Sequence, residues 1–256
     1  MSKYLKLFNT HSQYESYTAD TSNFILPNVS YCKDQPTVVH YNPNTPVPPT
    51  PSHDFVEIGG IKWATMNVGA NSITDYGLYF QWGDTQGYTA AQVGSGEGQK
   101  YFGWADYKYG NGTSSPGNTG MTKYNSSDGK TVLEASDDAA RVNMGGLWRM
   151  PTTAEFQALG AATTSAWTSD YEGSGVVGLV LTDKTDSSKV LFFPAAGSCY
   201  NGGGGGAGSF GNYWSSSVLS SYVQSACNLN FASNLVSWQF YSNRFNGFSV
   251  RGVLGE

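Results

Sequence analysis

Cysteine and histidine are the side chains of this chain best suited to covalent or metal chemistry, and their positions do not converge on a reaction centre. Cys32, Cys199 and Cys227 stand in unrelated contexts, with neither zinc-site spacing nor a disulfide framework. They read as free thiols of a chain made in a reducing cytosol. Nucleophilic catalysis needs a base within reach of a Ser or Cys. His11, His40 and His53 all lie before or at the edge of the main domain, far in sequence from Cys199 and Cys227. Asp137 and Asp138 are metal-ligand types. They follow Ser136 at the start of the helical run "SDDAARVNM", where carboxylates complement free N–H groups and the dipole, so a helix start accounts for both. Arg149 in "GLWRMPT" reads as a structural arginine tying backbone carbonyls. The run Gly202 to Gly206 has no following Lys-Ser/Thr and no strand–loop–helix setting, so it is a flexible loop or one needing positive φ, not a phosphate cradle. These residues call for no cofactor and no metal, and the chain is expected not to be an enzyme.

Non-covalent recognition is the chemistry that the composition favours. From Val190 to Gly255, 66 residues, the only charged side chains are Arg244 and Arg251. A solvated surface normally carries charge, and a disordered tail would hold fewer aromatic and apolar residues. The segment must fold, and its surface must be neutral and polar. In "ACNLNF", alternation puts Leu229 and Phe231 on one face of a half-buried strand and Asn228 and Asn230 on the other. The remainder is Ser, Asn, Tyr, Gly and small apolar residues. That is the composition of a paratope, in which Tyr supplies contact area at low entropic cost and Ser, Gly and Asn supply adaptable hydrogen bonds.

The elements that would carry such a surface can be placed along the 256 residues. "NPNTPVPPTPS" holds half of all prolines and marks a semi-rigid spacer. The domains are therefore a small N-terminal attachment module (1–42), a Pro-rich linker (43–53) and a main domain (54–256). In the module, "NVSYC" and "TVVHY" read as strands joined by "KDQP". So small a unit needs a partner or an oligomer for stability. After the linker, "FVEIGGIKWAT" signals a hairpin around Gly59-Gly60, and "YGLYFQWG" a further strand. Thr85 to Lys130 reads as long loops. A second helix opens at "TTAEFQAL", where Thr152 and Glu155 have capping-box spacing. "GLVLTD" and "KVLFFPAAG" read as strands. Few helices, many short strands and long loops predict an α+β domain on an antiparallel sheet. The net charge of −5 speaks against nucleic acid as a partner. No apolar run approaches the ~20 residues of a membrane span, and no signal peptide is visible.

The ordered set "WATMNVGA", "YGLYFQWGDT", "DDAARVNMGGLWRMPTTAEFQAL", "LFFPAAG", "YWSSS" and "NGFSVRGV" resembles a family with a C-type-lectin fold, related to formylglycine-generating-enzyme-like domains and common in gut bacteria and their phages. Its C-terminal pattern is similar to the variable proteins of diversity-generating retroelements. The resemblance spans roughly residues 54 to 254. It implies a C-type-lectin-like fold whose hypervariable C-terminal surface binds a host cell-surface protein or glycan. Residues 1–42 would attach the chain to a virion or tail component, and a homo-oligomer, such as a trimer, is compatible. The setting implied is a phage tail or, alternatively, a bacterial cell surface. The resemblance also offers a rival, an enzyme of the formylglycine-generating type, but that reaction is run by a redox-active cysteine pair and no matching pair is evident in this sequence.

In that family adenine-directed mutagenesis rewrites selected codons, usually Asn codons. Carried over by position, the pattern implies Trp214, Ala226, Leu229, Phe231, Arg244, Gly247, Ser249, Val250 and Arg251 as framework. The ligand-binding variable set is Tyr222, Val223, Ser225, Cys227, Asn228, Asn230, Asn234, Leu235, Ser237, Phe240, Tyr241, Ser242 and Phe245. An Asn codon randomised at both adenines encodes all of these but never Lys, Glu, Gln, Met or Trp. Gln224, Trp238 and Gln239 do not fit the scheme, so either they are fixed positions or the scheme does not hold there. Sugar-binding C-type lectins coordinate calcium through carboxylates near the C-terminal strands. Here none precedes Glu256, so calcium-dependent sugar binding is not expected there.

Overall fold

The computed structural model describes residues 4–7, 14–17, 37–39 and 53–255. The chain divides into two compact units, Met1–Thr50 and Pro51–Glu256. In the first, β1 (Tyr4–Leu7), β2 (Tyr14–Tyr17) and β3 (Thr37–Val39) form an antiparallel sheet in the order β2-β1-β3. Strand β3 lies in the run "TVVHY". The run "NVSYC", the turn "KDQP", the stretch 43–52, and His11, Cys32 and His40 lie outside the described residues.

The second unit is α+β with antiparallel sheets. Strands β4 (Phe55–Ile58) and β5 (Ile61–Asn67) pair directly across Gly59-Gly60. Both glycines have positive φ, 60° and 77°, as the tight primed turns of hairpins require. After a long loop tract come helix α1 (Ala139–Met144), the short strand β6 (Trp148–Arg149) and helix α2 (Thr153–Ala162). The expected capping box forms: Thr152 Oγ1 accepts from the Glu155 amide at 3.3 Å, and the Glu155 carboxylate accepts from the Thr152 amide at 2.7 Å. Helix α1 starts later than expected. Asp138, not Ser136, is its N-cap, accepting from the Arg141 amide at 2.9 Å. Residues Ala135–Asp137 form a separate single turn, because Asp137 is drawn aside by Lys108, Lys123 and Tyr124.

Strands β7 (Thr163–Thr168), β8 (Gly178–Asp183) and β9 (Val190–Pro194) make one antiparallel sheet. Strands β8 and β9 are the runs "GLVLTD" and "KVLFFPAAG". The glycine run is not merely a loop: β11 (Gly203–Gly205) pairs with β10 (Ser198–Tyr200), while Gly202 and Gly206 at its ends have positive φ. Strands β12 (Phe210–Val218), β13 (Ser225–Ala232) and β14 (Leu235–Asn243) form the sheet of the charge-poor segment. Strand β15 (Arg251–Leu254) returns between β5 and β6 in a four-stranded sheet. "YGLYFQWG" departs from expectation: Tyr79 bridges Tyr88 and Phe80 bridges Phe248 singly, without a continuous strand. Its rings, Phe80 and Trp82, are spent on the core instead.

Two core clusters lie on either side of the β12–β14 sheet. One holds Trp63, Phe156 and Leu181 with Tyr213, Leu229 and Phe231 from the sheet. The other holds Trp82, Tyr124 and Phe248 with Trp214 and Ala226. Both faces of one sheet are therefore used for packing, which explains why the tail is rich in aromatic residues.

Candidate ligand-binding face

The pairing register sorts the side chains of the tail. Directly opposed residues of antiparallel strands project to the same face. Tyr213 opposes Leu229, and Phe231 opposes Gly211 and Val236; these make the inner face, over which α2 lies. Trp238 belongs to that layer, and a Cβ placed at Gly160 of α2 would overlap its ring. On the opposite face the register gives successive rows: Phe210, Ala232 and Leu235; Asn212, Asn230 and Ser237; Trp214, Asn228 and Phe240; then Ala226 and Ser242. Trp214 and Ala226 sink into the first core cluster. Leu235 and Phe240 are about half exposed, at 52% and 46%.

A polar ladder crosses the middle of this face. The Asn228 and Asn230 amides both donate to Asn212 Oδ1, at 3.0 and 2.9 Å. Asn212 and Asn228 are buried, Asn230 is half-buried, and the Oδ1 of Asn228 has no partner among the described residues. The ladder fixes the side-chain amides of two strands against each other.

Both charges of the tail lie beneath the surface. Arg251 is 0% exposed: its Nη1 donates to the carbonyls of Ala64 and Thr65 at 3.0 and 2.8 Å, its Nη2 to Phe192 O at 2.9 Å, and its Nε and Nη2 to Asn67 Oδ1. Burial pushes its pKa down to about 10. Arg244 is equally enclosed and donates to the carbonyls of Lys123 and Tyr124, each at 2.9 Å, with its guanidinium 4.9 Å over the Trp82 ring. Residues 190–255 thus contribute no charged side chain to the surface.

Of the thirteen residues in the expected binding set, six share the outer face: Asn228, Asn230, Leu235, Ser237, Phe240 and Ser242. Tyr222 and Asn234 are exposed in the turns on either side of β13, and Tyr241 is exposed on the opposite side of β14. Five residues are enclosed, which corrects the expectation that they face solution. Val223 belongs to the first core cluster. Ser225 opens β13, with its amide bonded to Tyr222 O at 2.8 Å. Cys227 opposes Tyr241 and is buried, its thiol near Thr153. Asn228 lies in the ladder, and Phe245 packs edge-on against Trp104 at 4.8 Å. All nine framework residues are buried.

The three residues that break the codon scheme have ties to other elements. Trp238 packs on α2, Gln239 Oε1 accepts from Gln157 Nε2 at 2.8 Å, and the Gln224 backbone bonds Arg244 N and Asn118 Oδ1. Arg149 behaves as expected toward Met150 O, and also grips Glu155 at 2.8 and 2.5 Å. Asn212 and Phe210 were missed as members of the face. Their signal was available in "FGNYW", whose alternation matches "ACNLNF".

The described thiols are poorly placed for nucleophilic work. Burial pushes Cys199 up to about 12, and burial also raises Cys227 against a lowering hydrogen bond from Thr153. No family model, curated protein or solved structure matches this chain.

Proposed function

We propose that this chain is a non-enzymatic binding protein that displays the outer face of β12–β14 to a ligand. In this reading the second unit has a C-type-lectin-like fold, and the face is the hypervariable surface of a diversity-generating-retroelement protein. It serves as a phage tail-associated receptor-binding protein, attached through residues 1–42, with a bacterial surface adhesin as the alternative setting. The carrying observation is the contrast between a surface without charge and the two arginines locked beneath it. A framework held from below leaves Leu235, Ser237, Phe240 and Ser242 open to replacement without loss of the core. Amides and hydroxyls interleaved with an exposed ring suit a host surface protein or glycan.

The test uses the full chain, fluorescently labelled, on a panel of intact gut-bacterial cells. Binding to a responsive strain should survive raised salt, because no surface charge of the face takes part. It should fall by about tenfold or more for Asn230→Ala with Phe240→Ala. Protease or periodate treatment of the cells then separates protein from glycan receptors. Undiminished binding by the double variant would sink the assignment.

A further inference from the structure

Strand β14 is an edge. It pairs with β13 on one side, and among the described residues it makes no bridge on the other. Natural edge strands are kept from pairing by being short, by charge, by proline or by bulges. Several other edges of this unit follow that practice; β12 is covered by bridges from Gly197, Ser249 and Val132, and β7, six residues without charge or proline, is the exception. Strand β4 has four residues and carries Glu57, β9 ends in Pro194, and β11 is three residues long. Strand β14 has nine residues, no charge and no proline, and it exposes Leu235, Phe240 and Tyr241. Its one irregularity is the register shift between Asn228 and Asn230 of β13. There Trp238 and Gln239 together face Leu229. Beyond that bulge Phe240–Asn243 runs regularly against Ser225–Asn228.

We propose that two copies of this chain pair antiparallel through the part of β14 centred on Tyr241, joining two three-stranded sheets into one of six strands. The occupant of the edge is a second copy for two reasons. An antiparallel edge is complementary to itself about a two-fold axis, so no second surface has to be supplied. The chain carries a net charge of −5, and the segment 190–255 is where copies approach without like-charge repulsion, since both of its arginines are enclosed. A two-fold axis normal to the sheet through Tyr241 keeps each face continuous and sets Phe240 beside Ser242 of the partner subunit. The contact is made by main-chain N–H and C=O groups. It therefore persists when side chains on the face are exchanged, and it presents two binding faces on one rigid platform, a source of avidity. The inference does not depend on what the face binds.

Sedimentation of the full chain across roughly two decades of concentration tests this. A reversible shift from the 27.5 kDa monomer to twice that mass is expected. Phe240→Lys with Ser242→Lys clusters four ammonium groups around the axis and should weaken association by about tenfold or more. The neutral pair Phe240→Tyr with Ser242→Asn should leave it within about twofold. On the wild-type chain, hydrogen exchange at β14 amides that face away from β13 should slow as concentration rises, a readout that needs no variant. A monomer at every concentration, a trimer, a dimer indifferent to the lysine pair, or β14 amides indifferent to concentration would each overturn the proposal.

Discussion

The loop tract between Lys100 and Asp137 and the tail from Val190 to Gly255 are both rich in Gly, Ser, Asn and Tyr, yet they are fastened in opposite ways. The tract is held by charge. Five of the six ion pairs among the described residues fall in it, including Lys108 and Lys123 on Asp137 and Lys123 on Glu134. Asp137 also accepts from the Tyr124 hydroxyl at 2.6 Å. The tail has no ion pair at all among the described residues and relies on sheet pairing, aromatic packing and two arginines that bind carbonyls. Arg244 joins the two regions, because the carbonyls it holds belong to Lys123 and Tyr124. The difference teaches that low surface charge need not mean loose structure. Charge withdrawn from the tail surface is reused underneath it, where it fixes backbone while outer side chains such as Leu235 and Phe240 stay exposed.

The largest effect should come from removing a buried tether. Arg251→Met leaves the carbonyls of Ala64, Thr65 and Phe192, and Asn67 Oδ1, without their donor. Unsatisfied buried groups cost ~1–3 kcal/mol each, so chemical denaturation should show a loss of about 3–5 kcal/mol or failure to fold. Arg251→Lys should rescue little, because one ammonium cannot span partners placed for a guanidinium fork.

Core truncation comes next. Leu229→Ala or Phe231→Ala, both from fully buried positions, should cost ~2–5 kcal/mol in the same assay. A loss below about 0.5 kcal/mol would mean that the inner and outer faces are reversed.

Acid separates the two regions. Burial works to raise the Asp137 pKa, but hydrogen bonds from Lys123, Tyr109, Tyr124 and Lys108 outweigh it and hold the carboxyl well below the ordinary carboxylate range. A depressed carboxylate contributes stability that is fully present above its unfolded pKa of about 3.9 and lost as pH falls further. Hydrogen exchange should therefore rise first in residues 104–137 below about pH 4, while β12–β14 amides stay protected. Asp137→Asn should lower stability at neutral pH and flatten that acid response. Equal loosening of both regions would contradict the contrast in fastening.

Much of this frame was legible in the residues. Thr152 with Glu155 announced α2, Gly59-Gly60 announced a hairpin, and Arg149 in its turn announced a side chain that binds a backbone carbonyl. The alternation of "ACNLNF" correctly parted Leu229 and Phe231 from Asn228 and Asn230. It did not reveal that part of the outer face is also covered. That cover comes from Trp82, Tyr124 and Phe248, whose approach is set by tertiary folding and not by local periodicity. Val223 and Phe245, flanking the strands, are enclosed in the same cluster. "YGLYFQWG" failed for a related reason: its β-forming residues serve as core rings, so composition outran pairing. The late start of α1 reflects three side chains contributed from outside the helix, which no capping rule anticipates.

The central claim is that the outer face of β12–β14 can be rewritten while the frame stands. One measurement reaches it most directly: exchange Leu235, Ser237, Phe240 and Ser242 together for other neutral residues, and record the thermal melt beside binding to the bacterial panel. The account predicts a stability change within about 0.5 kcal/mol per position, with binding lost or moved to another strain. A variant that unfolds, or one that binds the original strain unchanged, would contradict it.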